Sequence, residues 1–243
     1  MRTDWKIPKK NLSQAHNILT NRGNICRSIL PGVMDYSMTC LDRPFYRRPT
    51  DLVAMDLLGN KLVRIISNPG EKPKRLSGII VETEAYGFKE DAASHAFRGQ
   101  TPRNAVIFGE VGRAYIYFIY GNHFCVNVSA RPVEIEAGAV LIRALQPVEG
   151  IKCMKIFRNN SEDLSLTSGP GKIGQALYIQ KSLNGQDMTD RKSHIHIEVG
   201  VKPPGMIATQ RIGTSKALDK KWRFVSLARS EKGYVTNKFS SRS

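Results

Sequence analysis

Residues 81–127 read VETEAYGFKEDAASHAFRGQTPRNAVIFGEVGRAYIYFIYGNHFCVN and carry most of the structural signals of the chain. The segment begins with the end of a long strand-like run. Two apolar, aromatic-rich runs follow, at 114–120 and at 124–129. Between these two runs, Gly121-Asn122 is a short connection with glycine first, as in a type II′ turn. The segment therefore predicts a long strand, a polar loop and an antiparallel β-hairpin.

The long strand, predicted over 76–86, places a carboxylate and an aromatic ring together. Because side chains alternate across a strand, one face should carry Ile80, Glu82, Glu84 and Tyr86. Glu84 and Tyr86 would then enter the same space, where a carboxylate beside an aromatic wall suits a flat, electron-poor ring. The alternatives are an exposed or ion-paired Glu84 and a Tyr86 that belongs to the ordinary core.

The first arm of the hairpin carries three tyrosines in two different settings. Alternation puts Tyr115 and Tyr117 on one face and Tyr120 on the other, immediately before the turn. A bulky ring at a hairpin tip can act as a wedge in a stack of bases. Extruding a base from a duplex is unfavourable, and stacking it on aromatic rings stabilises it by roughly 1–3 kcal/mol. The pattern favours a pocket for one extruded base, with a tyrosine stripe of ordinary core as the alternative.

The chain is strongly basic. Its 243 residues contain 37 lysines and arginines against 21 aspartates and glutamates, a formal net charge of +16. This excess predicts a polyanionic partner, with nucleic acid ahead of an anionic membrane. No run reaches the roughly 18 apolar residues of a membrane span, and the N-terminal residues lack an apolar signal core. We expect an intracellular monomer that acts on double-stranded DNA and not at a membrane.

The order of the elements favours an α+β fold. We expect helices at 51–58, 148–158 and 172–180, and strands at 62–66, 76–86, 139–145, 194–199 and 222–228 besides the hairpin. Thr50 is the expected cap of the first helix, and Leu52 is expected on its apolar face. Such an order predicts a single compact domain with a mixed, mostly antiparallel curved sheet, flanking helices and a protruding hairpin.

The domain boundaries follow from composition. We place the folded domain at 43–230, after a basic leader at 1–42 and before a polar tail at 231–243. The leader is either an arm that adds phosphate contacts, an address, or a poorly ordered tail.

A glycine-rich segment precedes the third helix. Gly169-x-Gly171-x-x-Gly174 matches a dinucleotide-binding fingerprint by letter, but it follows a polar loop and not an apolar strand. A helix N-terminus at Gly171 and Lys172 could instead hold a DNA phosphate, and a plain glycine-rich cap is the alternative.

The cysteines and histidines indicate no metal centre. The four cysteines are widely spaced and form no CxxC motif, which fits reduced thiols inside a cell. His194-x-His196 could place two imidazoles on one strand face, but no further ligands accompany them. We expect neither a metal nor an organic cofactor.

Six motifs, in order along the chain, resemble the 3-methyladenine DNA glycosylase family of the alkyladenine type. They are VETEAY at 81–86, HAFRGQTPRN at 95–104, AYIYFIYG at 114–121, FCVNV at 124–128, VLIRALQP at 140–147 and SGPGK at 168–172. The similarity runs from about residue 43 to the strand near 225. It implies a monofunctional hydrolase that excises 3-methyladenine, 7-methylguanine, hypoxanthine and etheno-adenine from duplex DNA and leaves an abasic site. No lysine stands out as a Schiff-base nucleophile, so no lyase step is expected.

The resemblance implies roles for three residues that handle water. Glu84 would be the general base that activates it. Arg143 and the main-chain carbonyl of Ile212 would help to hold it. Glycosidic cleavage passes through an oxocarbenium-like sugar, which a carboxylate can also stabilise.

Five further residues would handle the flipped base. Tyr86 would stack on one of its faces, with His95 and Tyr117 on the other. Asn127 would crowd the exocyclic amino group of guanine, and Tyr120 would be the intercalating wedge.

The chain departs from the family pattern beside the wedge, where Asn122 and His123 stand in place of bulkier apolar residues. A non-catalytic nucleic-acid-binding protein is the competing hypothesis. Such a binder would have no use for Glu84, because a carboxylate repels phosphates.

Overall fold

A computed structural model describes residues 39–119, 123–159, 165–230 and 233–235. The elements in chain order are α1 (Arg43–Tyr46), α2 (Thr50–Asp56), β1 (Lys61–Ile66), β2 (Lys74–Tyr86), α3 (Ala105–Phe108), β3 (Ala114–Ile119), β4 (His123–Ser129), β5 (Ala139–Glu149), α4 (Ile151–Arg158), α5 (Pro170–Ala176), a 3₁₀ turn (Lys181–Leu183), β6 (Ile195–Glu198), β7 (Met206–Thr209), β8 (Arg223–Ser226), β9 (Ala228–Ser230) and β10 (Gly233–Val235). The expected hairpin tip at 120–122 and residues 1–38 of the expected leader lie outside the described residues.

Strand β2 organises the sheet because it pairs with three other strands. Its first half pairs with β1 and its second half with β8, while β5 runs along its other edge. The eight-stranded sheet has the order β3-β4-β5-β2-β1-β6, and β8 and then β7 branch from β2. Every strand pair in the described ranges is antiparallel, and the sheet curls into a half-barrel. The predicted α+β domain with a curved, antiparallel sheet is confirmed.

Irregular pairing between β2 and β5 decides which side chains of β2 face the core. Two successive register shifts between Ile80 and Thr83 leave Val81 as the extra residue on β2 and Arg143 as the extra residue on β5. A bulge interrupts the alternation of side chains. Ile80 therefore lies in the main hydrophobic core, on the side of the strand opposite to Glu84. The prediction that these two residues share a face is wrong.

The main core packs α2, α4 and α5 against the sheet. Its buried side chains include Val53, Ala54, Met154 and Ile173 from these helices. A smaller cluster joins Tyr115 of β3 to the loop between β2 and α3. The segment 81–127 thus contributes to both clusters.

The start of α2 differs from the prediction. The helix includes Thr50, whose hydroxyl donates to the carbonyl oxygen of Ala130 at 2.9 Å and caps no helical amide. Leu52 is 43% exposed, whereas Val53 and Leu57 are fully buried. The sheet therefore lies against a face of this helix that is one residue further along than predicted.

The helix predicted from residue 148 starts later, at Ile151, because β5 continues to Glu149. Pro147 pairs opposite Gly78 of β2 beside a register shift, where the missing amide hydrogen of proline is tolerated. The helix predicted at 172–180 forms earlier and shorter, as α5. The short strand β7 and the single-turn helix α3 have sequence patterns too short to predict.

Close packing of α5 on β4 requires Gly174. A Cβ atom there would lie 2.1 Å from the carbonyl oxygen of Phe124. We expect Gly174→Ala to lower the free energy of unfolding by about 1–3 kcal/mol, as other overpacked core sites do. Chemical denaturation measures this change. Gly169→Ala is the matched control, since its Cβ would meet nothing closer than 3.9 Å. Equal stability of the two variants would contradict the packing role.

Candidate active site

A cavity of about 530 Å³ opens beside the second half of β2. This volume lies within the roughly 300–1,000 Å³ typical of small-molecule sites. The predicted site residues that line the cavity are Tyr86, His95, Tyr117, Asn127, Arg143, Gly171, Lys172 and Ile212. Glu84 is fully buried and bonds three of these lining residues, whereas Tyr120 lies outside the described residues. Residues distant in sequence, from β2 to the loop before β8, therefore meet around one space.

Glu84 accepts hydrogen bonds on both carboxylate oxygens. Its Oε1 receives the main-chain amide of Ile212 at 2.7 Å. Its Oε2 receives the Tyr86 hydroxyl at 2.8 Å and Nη1 of Arg143 at 3.2 Å. A buried carboxylate is stable only with such partners. Of the two alternatives for Glu84, the exposed position is excluded, because its relative exposure is 0%, whereas the ion pair forms, with Arg143.

Burial raises the pKa of Glu84 above the 4.5 of an ordinary glutamate. The positive charge of Arg143, the amide of Ile212 and the Tyr86 hydroxyl act in the opposite direction but do not cancel the effect of burial. A carboxyl group with a raised pKa is a stronger base once ionised, which suits general base catalysis near neutral pH.

Arg143 is held between two carboxylates. Its Nε donates to Oε1 of Glu82 at 3.0 Å, while its Nη1 faces Glu84. The same Glu82 oxygen accepts Nε of Arg223 at 2.6 Å. Burial would lower the pKa of Arg143, but the charges of Glu84 and Glu82 outweigh it and raise this pKa. Arg143 is therefore a fixed cation beside Glu84.

Aromatic rings from three elements form the walls of the cavity. The ring centroids of His95 and Tyr117 lie 4.7 Å apart in an edge-to-face contact, and Tyr117 lies 5.2 Å from Tyr115. His95 is oriented by a 3.0 Å hydrogen bond between its Nδ1 and the Tyr115 hydroxyl. Tyr86 comes from β2 and is fixed by its bond to Glu84. As strand alternation predicted, Tyr115 and Tyr117 share a face.

These rings are uncharged at neutral pH. Burial, reinforced by the positive charge of Arg103, lowers the pKa of His95 below its ordinary value. Burial, followed by the negative charge of Glu84, raises the pKa of Tyr86 well above its ordinary value. Burial has the same effect on the pKa of Tyr117. The walls therefore present neutral π-surfaces around the Glu84 carboxyl group.

Asn127 lies at the inner end of β4 with a relative exposure of 3%. Its Nδ2 donates to the carbonyl oxygen of Tyr115 at 3.0 Å, across the β3–β4 pair. This bond fixes the orientation of the side chain in the cavity wall. A fixed amide is a suitable group for rejecting a substituent of the wrong shape.

The glycine-rich segment forms the start of α5 and lines the cavity. The Nζ atom of Lys172 lies 2.9 Å from the Ser168 hydroxyl. The Gly174 contact with Phe124 accounts for the last glycine of the motif by packing. The nearest described element before the motif is helix α4 and not a strand, so the dinucleotide interpretation is not supported.

Three charged residues that support the site were missed by the sequence analysis as functional residues. Glu82 holds Arg143, and Arg211 forms a buried pair with Asp91 next to Ile212. The only sequence signal was adjacency: Glu82 is two residues from Glu84, and Arg211 directly precedes Ile212. Ile212 itself contacts Glu84 through its amide; the role expected for its carbonyl stays a prediction.

Two findings on the described residues concern metals and membranes. The histidine, cysteine, aspartate and glutamate side chains there form no group of three or more that could hold a metal ion. None of the helices described is long and apolar enough to cross a bilayer.

Comparison with known proteins agrees with the geometry. Residues 44–230 match the family model described as methylpurine-DNA glycosylase. A relative from Carboxydothermus hydrogenoformans is 45% identical over 186 residues, which cover 76% of this chain and 93% of that protein. Relatives from Methanoculleus marisnigri and Chlorobium phaeobacteroides are 43% and 40% identical, over 76% of this chain in each case and 93% and 92% of those proteins. All three bear the name "Putative 3-methyladenine DNA glycosylase". The chain therefore belongs to the methylpurine-DNA glycosylase family, the family that its motifs predicted.

Proposed function

We propose that this protein hydrolyses the N-glycosidic bond of alkylated and deaminated purines that are flipped out of duplex DNA. The substrates would include 3-methyladenine, 7-methylguanine, hypoxanthine and etheno-adenine, and the product an abasic site. The observation that carries the proposal is a fully buried carboxylate, Glu84, at the edge of a cavity walled by neutral aromatic rings. Membership of the family gives independent support.

Glu84 acts as the general base in this proposal. The bond between C1′ and the purine nitrogen breaks and its electron pair leaves with the base, so that an oxocarbenium-like sugar forms and a water molecule attacks C1′. A 3- or 7-alkylated base leaves neutral, whereas a neutral base such as hypoxanthine takes up a proton, which balances the one that the water loses. Ionised Glu84 accepts the proton of that water and stabilises the positive sugar. Arg143 and the carbonyl of Ile212 hold the water. Arg143 stays charged because Glu82 and Glu84 both face it.

The aromatic walls bind the extruded base. Tyr86 stacks on one face and the His95–Tyr117 pair on the other. A 3- or 7-alkylated purine is cationic, so neutral π-surfaces attract it, whereas a charged imidazolium would repel it. The lowered pKa of His95 is therefore favourable for these lesions. Asn127 disfavours guanine by crowding its exocyclic amino group.

DNA would be held by the hairpin tip and by the rim of the cavity at the start of α5. Tyr120 fills the gap left by the extruded base, and Gly171 and Lys172 bind a backbone phosphate. The net charge of +16 supplies long-range attraction to DNA. The domain at 43–230 would work as a monomer, inside the cell, in base excision repair, by hydrolysis alone and with no lyase step. The leader at 1–42 and the tail at 231–243 would lie outside the catalytic unit.

Replacing Glu84 by glutamine tests the proposal directly. Without a general base, single-turnover release of hypoxanthine from duplex DNA should fall by about 10²–10⁴-fold, while duplex binding is retained. Glu149→Gln is a matched control, because this glutamate is paired with Arg75 and does not line the cavity. Full activity of Glu84→Gln would reject the assignment. Binding without release by the wild-type protein, over a panel of lesions, would favour the non-catalytic alternative.

The pH dependence of the reaction should reflect Glu84. A base must be ionised, so kcat/KM should fall as the pH drops through the pKa of Glu84, and this limb should lie above pH 4.5 because burial raises that pKa. Release of 7-methylguanine is the best measurement, since this cationic base leaves without being protonated. A rate that stays constant down to pH 4.5 contradicts the expectation.

Loss of the wedge should weaken base extrusion. Tyr120→Ala removes the ring expected in the vacated gap, so the fluorescence change of a flipped reporter base should decrease. Val133→Ala is the control, because Val133 is 73% exposed and does not line the cavity. An unchanged fluorescence signal in Tyr120→Ala would show that another group fills the gap.

A further inference from the structure

Arg211 is buried although it lies in a loop between β7 and β8. Its side chain is 1% exposed and forms two hydrogen bonds with Asp91, from Nη1 at 2.6 Å and from Nη2 at 2.7 Å. Its Nη1 also donates to the carbonyl oxygen of Ala85 at 2.8 Å. The guanidinium group lies 4.7 Å from the ring centroid of Tyr86 and 5.6 Å from that of Trp222. Arg211 thus joins its loop to the end of β2.

The next residue after Arg211 bonds the buried carboxylate. The Ile212 amide donates to Oε1 of Glu84 at 2.7 Å, although Ile212 itself is 44% exposed. An exposed residue in a loop needs an anchor to keep one amide at a fixed distance. The adjacent Arg211 is buried and has four partners, so it is that anchor.

Asp91 extends the same connection to the opposite wall. Its carboxylate accepts the amides of Gly87 and Ala93, at 2.9 and 3.2 Å, and so shapes the loop after β2. The main-chain carbonyl of Asp91 accepts the amide of Ser94 at 2.9 Å. His95 follows directly. The Arg211–Asp91 ion pair therefore connects three parts of the site: the loop that contains Ile212, the ring of Tyr86, and the loop that contains His95.

We propose that Arg211, paired with Asp91, is a positioning residue for the glycosylase reaction. It holds the Ile212 amide on Glu84 and fixes the spacing between Tyr86 and His95, the walls that take the base. Arg211 touches no reacting atom in this role. The inference rests on the proposed function, since it concerns the alignment of the same base and the same walls.

Lysine is the informative replacement. Arg211→Lys keeps the positive charge for Asp91, but an ammonium group lacks the planar fork needed to bond both carboxylate oxygens and the Ala85 carbonyl together. The Ile212 amide should then move away from Glu84. Arg43→Lys is the control, because Arg43 likewise donates to a carboxylate, Asp187, and to a main-chain carbonyl, is also paired with Glu110, and does not line the cavity.

The expected results separate alignment from general stability. Single-turnover release of 7-methylguanine by Arg211→Lys should fall by about 10²-fold, as a small misplacement of catalytic groups can cause. The acidic limb should move to higher pH, because Glu84 loses a donor that lowers its pKa. DNA affinity should stay unchanged. Arg43→Lys should keep both the rate and the limb of the wild-type protein.

A shift of the acidic limb of the pH–rate profile can be assigned to a cause because the charged and titratable groups around Glu84 are known. Those that face it are Arg143 from β5, Glu82 and Tyr86 from β2, Tyr117 from β3, Cys125 from β4 and Arg211 from the loop before β8. Replacement of Arg211 by lysine leaves the charge of every one of them unaltered. A displaced limb therefore reports geometry and not a lost charge.

A wild-type rate and a wild-type acidic limb of the pH–rate profile in Arg211→Lys would overturn the inference. So would a loss of thermal stability equal to that of Arg43→Lys while the acidic limb stays in place. If Arg211→Lys does not fold, the near-isosteric Asp91→Asn carries the same expectation for the rate and for DNA affinity, and a wild-type rate in that variant overturns the inference; its pH limb is not compared, because this variant removes a charge. Glu84→Gln is measured alongside. Wild-type activity of Glu84→Gln would contradict the proposed function. An inactive Glu84→Gln together with a wild-type rate of Arg211→Lys would contradict only the positioning role.

Discussion

The burial of one carboxylate constrains the rest of this site. Glu84 has no exposed surface, and an ionised carboxylate without partners would be strongly destabilising in such a place. Three donors satisfy it, and they come from β2, from β5 and from the loop before β8. The curled sheet is the device that brings these elements together, because β2 pairs with both β5 and β8 at the level of Glu84.

The groups that donate to Glu84 are themselves held by further buried ion pairs. Arg143 is shared between Glu84 and Glu82, and Glu82 also binds Arg223. On the other side, Arg211 and Asp91 stand behind the amide of Ile212. Removing one member of such a set leaves another charge buried without compensation, which usually costs more than the pair contributes. The network therefore specifies an arrangement as well as stability.

The same burial makes the charge of the aromatic walls differ from that of the Glu84–Arg143 pair. Low polarity keeps His95 neutral and the tyrosines protonated, while the paired arginine retains its charge. Neutral rings around a single carboxylate fit a cationic, flat base better than a site with charge on every side. This division agrees with membership of a glycosylase family that is named for methylated purines.

Contiguous motifs such as VETEAY and VLIRALQP were sufficient for the family, and the order of the elements was sufficient for the α+β class. The resemblance that the motifs carry supplied most of the predicted residues that line the cavity. Local pattern was also sufficient to place Tyr115 and Tyr117 on one face, because alternation depends on nearest neighbours alone. It failed for Ile80, since the register shift at Val81 depends on how β5 pairs with β2. It failed for Thr50 and Leu52, because the sheet, through distant partners such as Ala130, decides which face of α2 is buried. Above all, the pairing of Arg211 with Asp91 spans 120 residues, and only long-range packing creates the dry space in which such a pair forms.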